Sequence, residues 1–166
     1  SVHGQFIELM EQEKKLDRLK QYIANDNITN LGDYCVNTER EKGNQIKHPI
    51  GSIMEFESYI LVVFAKDDEY EQPYLYNKEY MEFLMNFWAN IDRKRKTINI
   101  PLMGAGVMKF KNQKPDKQAL LEIILWSLKL SEYDNSCAGE KVNIWIHEND
   151  ADEIDFYHLQ HNSSFK

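Results

Sequence analysis

The sequence has few of the residues that break regular structure: four prolines and seven glycines among 166 residues. No segment of low-complexity composition is present, and 42% of the residues are hydrophobic and 12% aromatic. This composition is typical of a folded globular chain. The length is sufficient to bury a core without covalent crosslinks. We therefore predict a single domain over residues 1–166.

Cysteines and long apolar runs are also scarce. Cys35 and Cys137 lie far apart without paired spacing, which favours a reduced cytoplasmic setting and leaves a single disulfide open. No apolar run approaches the length of a membrane span, and no signal peptide is visible. The chain begins at Ser1 without a Met, which indicates a trimmed or processed piece.

Positive charge is in deficit, since the formal net charge is −7 at pH 7. A protein that binds nucleic-acid backbones in general needs a basic face. We therefore expect no nucleic-acid partner. The charge remains compatible with one buried anionic ligand held by backbone amides.

Hydrophobic periodicity predicts an alternation of helices and strands. The predicted elements are helices over 2–10, 16–23, 77–95 and 117–130, strands over 52–56, 59–65, 97–100 and 141–147, and a short helix or strand over 150–159. Strand 59–65 is apolar on both faces, which predicts a central strand covered by helices. The alternation as a whole predicts an α/β sandwich.

Three local predictions complete this organisation. Asp116 is predicted to cap the helix that follows it, and Asn77 or a neighbour to cap helix 77–95. Residues 31–47 are polar and irregular, and we predict a long loop there, either mobile or serving as a lid. Residues 160–166 are predicted to fray as a tail.

A glycine turn at residues 104–106 is the most informative feature of the sequence. Gly104-Ala105-Gly106 follows the predicted strand 97–100 and precedes a helix. Such a turn presents backbone N–H groups at the carboxyl edge of a sheet, where a phosphate can bind. By its spacing alone, however, a short G-x-G is more often a plain tight turn.

A second glycine turn, Val2-His3-Gly4-Gln5, stands at the start of the first helix. In an α/β sandwich the two turns can converge from opposite sides of one cleft. Convergent N–H groups are what a diphosphate requires. From the sequence, a diphosphate site and two purely structural turns are equally good interpretations of this pair.

Other candidates for chemistry are weaker. His147-Glu148, His158-x-x-His161 and the run Asp67-Asp68-Glu69 offer metal ligands, but they lack the spacing of a zinc helix or a calcium loop. Neither cysteine has an evident histidine partner, and no serine lies in a G-x-S-x-G elbow. We therefore predict no metal, no cofactor and no catalytic residue.

The motifs, in their order along the chain, resemble the macro-domain family found in Thoeris antiphage effector proteins. The resemblance covers almost the whole chain, and its most specific part is the I-P-L-x-G-x-G block. The residues that carry it are Ser1-Val2-His3-Gly4-Gln5-Phe6-Ile7, His48-Pro49-Ile50-Gly51-Ser52-Ile53, Phe87-Trp88, Ile100-Pro101-Leu102-Met103-Gly104-Ala105-Gly106 and Leu120-Leu121-Glu122.

The resemblance implies a macro fold, a three-layer sandwich with a mixed sheet between helices, which binds ADP-ribose-like ligands through two loops that clamp the diphosphate. Carried over by position, the first loop comprises Val2, His3, Gly4 and Gln5, and the second comprises Gly104, Ala105, Gly106, Val107 and Met108. Lys109 and His147 are further candidate ligand contacts.

The resemblance also implies a role in bacterial immunity. Relatives sense a nucleotide signal, such as a histidine–ADP-ribose conjugate, that a TIR-domain partner makes from NAD, and activation is expected to involve self-association. Full-length relatives usually carry transmembrane helices before the macro domain. The resemblance therefore implies a cytoplasmic domain tethered to the inner membrane through helices outside this chain.

Two departures from the family pattern are visible. The two strands that open a macro domain, the second ending in an Asn-bearing turn, do not occur in this sequence. Where relatives often have a Thr-Arg-like pair, this chain has Met108-Lys109-Phe110. A lysine can face a phosphate, but as a point charge without the planar fork of arginine.

Two alternatives to the sensor stay open from the sequence. An ADP-ribosyl hydrolase of the same family positions a water with an Asn or Asp by the first loop, whereas the turn here shows His3 and no carboxylate. A non-catalytic scaffold would instead use loop 31–47 and the acidic surface to bind another protein.

Overall fold

The structure of the protein, a computed structural model, describes residues 2–25, 35–36, 46–67, 72–91, 97–106, 108–131 and 141–161. The chain forms two compact units, Ser1–Phe64 and Ala65–Lys166. Each unit has its own helices and strands and is described by itself below. The prediction of a single domain over 1–166 stays a prediction.

The first unit combines two helices with two small antiparallel strand pairs. Its described elements are α1 (Val2–Gln12), α2 (Leu16–Ala24), β1 (Cys35–Val36), β2 (Ile46–Lys47), β3 (Ile53–Phe56) and β4 (Tyr59–Val62). Strand β1 pairs with β2, and β3 pairs with β4 through a hairpin in which Phe56 lies opposite Tyr59.

A hydrophobic cluster joins the helices of this unit to its hairpin. Met10 and Leu19 on the helices are buried together with Met54 and Phe56 on β3. Ion pairs with the start of α2 stabilise the hairpin turn. The Glu57 carboxylate lies 2.8 Å from both Lys15 Nζ and Arg18 Nη1, and the Glu57 backbone has a positive φ of 56°. These two ion pairs therefore stabilise a backbone conformation that residues other than glycine rarely adopt.

Two sequence predictions for this unit differ from the structure. Within the predicted loop 31–47, Cys35–Val36 and Ile46–Lys47 are paired strands, because these short β-prone pieces find each other as partners; the rest of the range lies outside the described residues. Strand β4 ends at Val62, and its side chains are all half-buried rather than covered on both faces. Tyr59 and Leu61 pack on the cluster.

The second unit carries the glycine turn at 104–106. Its described elements are β5 (Lys66–Asp67), β6 (Pro73–Leu75), α3 (Asn77–Asn90), β7 (Thr97–Pro101), β8 (Lys109–Phe110), α4 (Lys117–Leu130), β9 (Lys141–Trp145), α5 (Glu148–Ala151) and α6 (Phe156–His161). Strand β6 pairs with β5 antiparallel and with β8 parallel, and β7 pairs with β9 in parallel.

Helices α3 and α4 form the core of this unit. The buried Trp88 indole of α3 donates to Ser127 Oγ of α4 over 2.8 Å, so a polar pair fixes the two helices where their apolar faces meet. Asp116 caps α4 as predicted, since its Oδ1 accepts from the Ala119 N–H over 2.7 Å. Strand β7 buries Ile98 and Ile100 and exposes Thr97, Asn99 and Pro101.

The ends of two predicted elements are wrong. Helix α3 stops at Asn90 rather than near residue 95, because Ile91 turns to an extended conformation with a ψ of 133°; residues 92–96 lie outside the described part. The tail predicted over 160–166 starts too early, since α6 includes Gln160 and His161. Residues 162–166 lie outside the described part.

The mixed α/β class predicted from the sequence is confirmed, since helices occur with both parallel and antiparallel strand pairs. The predicted absence of two opening strands stays a prediction. Among the helices of the described residues, none has both the length and the apolar character needed to cross a membrane.

Candidate functional site

The glycine turn lies at the carboxyl edge of the parallel pair β7–β9. The Leu102 N–H donates to Trp145 O over 2.9 Å, and the Ala105 N–H donates to Leu102 O over 3.2 Å. The first bond continues the strand pairing by one residue, and the second closes a turn. Ligands in open α/β sheets bind at this edge, beyond the carboxyl ends of the strands.

Gly104 shows a structural reason for being glycine. Its φ is +90°, a conformation that side chains with a Cβ rarely adopt. A Cβ at this position would lie 3.2 Å from Leu120 Cδ2, 3.4 Å from Phe110 Cζ and 3.5 Å from a Tyr80 ring carbon. The buried end of the turn is therefore packed directly on the core of the unit.

Tyr80 of α3 holds the same end of the turn by a buried hydrogen bond. Its hydroxyl donates to Met103 O over 2.7 Å. Burial raises the pKa of the Tyr80 phenol above its ordinary value, so the group stays protonated and remains a donor. A helix side chain thus fixes the peptide that leads into Gly104.

Gly106 differs from Gly104 in every respect. It is exposed, its φ is not positive, and a Cβ added there would meet no atom of the described residues within 4 Å, apart from its chain neighbours. The ammonium of Lys114 donates to Gly106 O over 3.0 Å and to Ala105 O over 3.3 Å. The outer end of the turn therefore faces open space and is tied down through its carbonyl groups.

The residues predicted to continue the second loop are placed in different settings. The Met108 side chain is buried, whereas Lys109 opens β8 with an exposed side chain, and Val107 lies outside the described residues. The buried Met108 side chain is therefore not available to a ligand.

Strand β9 ends at Trp145, whose carbonyl accepts from the Leu102 N–H and whose side chain is largely exposed. The Trp145 ring is 66% exposed, and its Nε1 donates to Asn99 Oδ1 over 3.1 Å. Asn143 Nδ2 donates to the same oxygen over 2.9 Å. His147, two residues beyond β9, is exposed and uses its Nδ1 to accept from the Asn149 N–H over 3.2 Å. Its other ring nitrogen, Nε2, takes no part in that bond.

The predicted first loop belongs to the first unit. Val2, His3, Gly4 and Gln5 form the first turn of α1, and the side chains of Val2 and His3 lie outside the described part. The second loop belongs to the second unit. That the two segments clamp one diphosphate stays a prediction.

The candidate metal ligands do not form a cluster. His158 Nε2 lies 4.0 Å from Glu122 Oε1, and His161 stacks on Tyr157 with ring centroids 4.0 Å apart. Within the described ranges no group of three or more histidine, cysteine or carboxylate side chains is placed to hold a metal ion. Asp67 lies in β5, and the two acidic residues after it lie outside the described part.

The sequence did not reveal three residues around the turn. Tyr80 was visible only as a residue of the predicted helix 77–95, and its hydroxyl bond to Met103 O depends on how the helix packs. Lys114 and Trp145 belong to no motif. The sequence shows only a lysine eight residues after Gly106 and a tryptophan at the end of a predicted strand, and neither feature by itself indicates a site.

Fold and turn together define a mixed α/β domain that presents a glycine loop at the carboxyl edge of a parallel strand pair. Residues 1–147 match the family described as Thoeris protein ThsA, Macro domain. The chain is 28% identical over 163 residues to the Thoeris protein ThsA of Bacillus amyloliquefaciens (strain Y2), covering 96% of this chain and 54% of that protein. The chain belongs to the ThsA macro-domain family, and it spans about half the length of the curated relative it matches. The family resemblance predicted from the motifs is confirmed.

Proposed function

We propose that this chain is the ligand-sensing macro domain of a Thoeris antiphage effector and binds an ADP-ribose-derived signal at the loop 104–108. The observation that carries the proposal is the contrast within the turn. Gly104 has a steric reason to be glycine, whereas a Cβ at Gly106 would meet open space among the described residues. In a chain of this family, that space is where we place the phosphates.

The chemistry of the turn suits an anion. In the proposed complex the Gly106 amide and those that follow it donate to phosphate oxygens, as backbone amides do in other glycine loops. Ala105 uses its own N–H within the turn. The net charge of −7 makes local donors more important, because the protein as a whole repels an anionic ligand.

The remaining predicted contacts complete the proposed site. We place the second phosphate contact at Val2, His3, Gly4 and Gln5, with Lys109 as an exposed cation beside the loop. Trp145 offers an exposed, flat apolar surface at the end of β9, and His147 follows two residues later. These side chains would contact the parts of the ligand that lie outside the diphosphate.

A binding measurement on a variant with a side chain at Gly106 tests the proposal. We expect the full-length protein to bind ADP-ribose or its histidine conjugate at micromolar concentrations in calorimetric titrations. Gly106→Val should weaken binding by about tenfold or more, because the new methyl groups occupy the space proposed for the ligand. Its midpoint of urea unfolding should stay that of the wild type.

The matched control is Ala89→Val, which adds a branched side chain at an exposed position of α3 away from the turn. It should leave the affinity unchanged. The proposal fails if neither ligand binds the wild type at micromolar concentrations, or if Gly106→Val binds as tightly as Ala89→Val.

The proposed signal comes from a TIR-domain protein that acts on NAD, and its binding leads to self-association of the effector. A ligand produces such a response only if it binds one assembly state better than the other. We therefore expect the sedimentation coefficient of the full-length protein to rise when saturating signal is added. For the full-length protein we propose a cytoplasmic macro domain tethered to the inner membrane by helices outside this chain.

The proposed role is non-catalytic, so bound ligand should be recovered intact after prolonged incubation. Release of ADP-ribose from a modified protein would contradict this part of the proposal. Loss of that release in a His3→Ala variant would then assign the chemistry to the first loop.

A further inference from the structure

Lys114 makes an unusual use of an exposed ammonium group. It lies between β8 and α4, and its Nζ donates to two successive carbonyls of the turn, Gly106 O over 3.0 Å and Ala105 O over 3.3 Å. Exposed lysines normally keep their ammonium group in water, because hydration stabilises the charge. Here the group instead bridges the two peptides at the open end of the loop.

Because a peptide unit is planar, the contact of Lys114 with Ala105 O also determines which way the Gly106 N–H points. Ala105 O and the Gly106 N–H belong to one planar peptide, and the structure has no cis peptide bond among the described residues. In a trans peptide the two groups point to opposite sides. When Lys114 holds Ala105 O, it therefore turns the Gly106 N–H away from itself, toward the opposite side of the loop.

The neighbouring amide cannot take this role. The Ala105 N–H donates to Leu102 O over 3.2 Å and is consumed by the turn. Within the part of the chain that the structure describes, the Gly106 N–H has no acceptor of its own. The donor whose direction Lys114 sets is thus a donor left over for a ligand.

Gly106 also needs such an external restraint. The Gly104 end of the turn is fixed by core packing and by Tyr80, whereas no described residue beyond the chain neighbours lies within 4 Å of a Cβ position at Gly106. A glycine peptide without packing is conformationally free. Lys114 supplies the restraint at the end of the loop where packing supplies none.

We propose that Lys114 is a positioning residue of the anion site: it clamps the carbonyls of Ala105 and Gly106 and so aims the Gly106 N–H at a phosphate of the ligand. This inference rests on the proposed function for the identity of the ligand, but the clamp itself is a property of the free protein. Lys114 acts through the loop, not by contact with the ligand.

The matched control is Lys111. It is an exposed lysine three residues earlier, and its Nζ lies 4.7 Å from the centre of the Tyr74 ring rather than on the turn. Lys114→Met and Lys111→Met remove the same charge from the same segment. Lys114→Arg keeps a donor and a charge at the decisive position.

The first measurement uses no ligand. In ¹H–¹⁵N spectra of the free protein, the Gly106 amide signal should shift or broaden in Lys114→Met and stay in place in Lys111→Met. Lys114→Arg should restore the wild-type signal. An unchanged Gly106 signal in Lys114→Met overturns the inference.

The second measurement is the affinity for ADP-ribose at about 0.15 M and about 0.5 M salt, where charge effects at a distance are screened to different extents. Lys114→Met should lose about tenfold at both salt concentrations, whereas Lys111→Met should lose less than about twofold and recover at high salt. Equal losses in the two variants, or a Lys114→Met loss that disappears at high salt, would make Lys114 a general charge and overturn the inference. If the wild type binds no ADP-ribose, the proposed function fails, and the amide spectra still decide the clamp.

Discussion

The two glycines of one turn have opposite environments. Gly104 is buried, has a φ of +90° and lies against Leu120, Phe110 and Tyr80. Gly106, two residues later, is exposed, and in the described part of the chain no residue other than its neighbours comes within 4 Å of a Cβ position there. The first glycine serves the fold, whereas the second is the one whose missing side chain leaves room for something else.

The difference teaches how a G-x-G pattern should be interpreted. The same residue type occurs twice in one turn for two separate physical reasons: Gly104 packs on the core, whereas Gly106 faces outward. Substitutions that affect the two ends of the turn should therefore separate stability from ligand binding. The predictions below use that separation, beginning with the largest expected effect.

Replacing Gly104 by alanine should cause the largest loss of stability. The variant combines a positive φ with a Cβ placed 3.2 Å from Leu120 Cδ2. Backbone strain and overpacking together should lower the free energy of unfolding by about 3 kcal/mol. Urea unfolding followed by circular dichroism measures this quantity.

Gly106→Ala is the matched variant at the open end, and it should change the free energy of unfolding by no more than about 0.5 kcal/mol. Equal losses at the two positions would remove the contrast, and with it the reason for placing the phosphates at the Gly106 end of the turn.

Removing the Tyr80 hydroxyl should have the second largest effect. Tyr80→Phe keeps the ring contacts but leaves Met103 O without its buried donor. An unsatisfied buried carbonyl costs about 1–3 kcal/mol in the free energy of unfolding. Tyr157→Phe, which removes a hydroxyl from a largely exposed ring, should cost less than about 0.5 kcal/mol. If Tyr80→Phe left the free energy of unfolding unchanged, packing alone would fix the Gly104 end of the turn.

Much of the fold was predictable because its signals are local. The cap at Asp116, the helix after it and strand β7 follow from side-chain chemistry and periodicity within a few residues. The end of α3 was not predictable, since the helix-favouring sequence continues to residue 95 while the chain turns at Ile91. The pairing of β1 with β2 across the polar segment is likewise a long-range choice.

The candidate site was predictable only in part. The G-x-G turn was visible as a motif, and the family resemblance supplied its meaning. Which glycine packs inward depends on the contacts of Gly104 with α3 and α4, and the Lys114 clamp depends on how the segment before α4 folds back. Neither contact has a sequence spacing that would reveal it.

The smallest predicted effect is a loss of stability in acid, caused by Glu79 at the start of α3. Glu79 directly precedes Tyr80. Glu79 accepts from the Tyr76 N–H over 3.0 Å and from Lys66 Nζ. Burial raises the pKa of the Glu79 carboxyl, but the hydrogen bonds from Lys66 and from the Tyr76 backbone outweigh it, so the pKa lies below its ordinary value of 4.5. The ionised carboxylate therefore stabilises the folded state.

The sign of the pH dependence follows from this lowered pKa. The contribution of Glu79 is complete above about pH 4.5 and is lost as the pH falls through the folded-state value. Glu79→Gln should be less stable than the wild type near about pH 6, and the difference should shrink below about pH 4. Because Glu79 secures the turn of α3 that carries Tyr80, acid should also shift the Met103 and Gly104 amide signals before that of Gly106. The reverse order would mean that the packed end of the turn does not depend on α3.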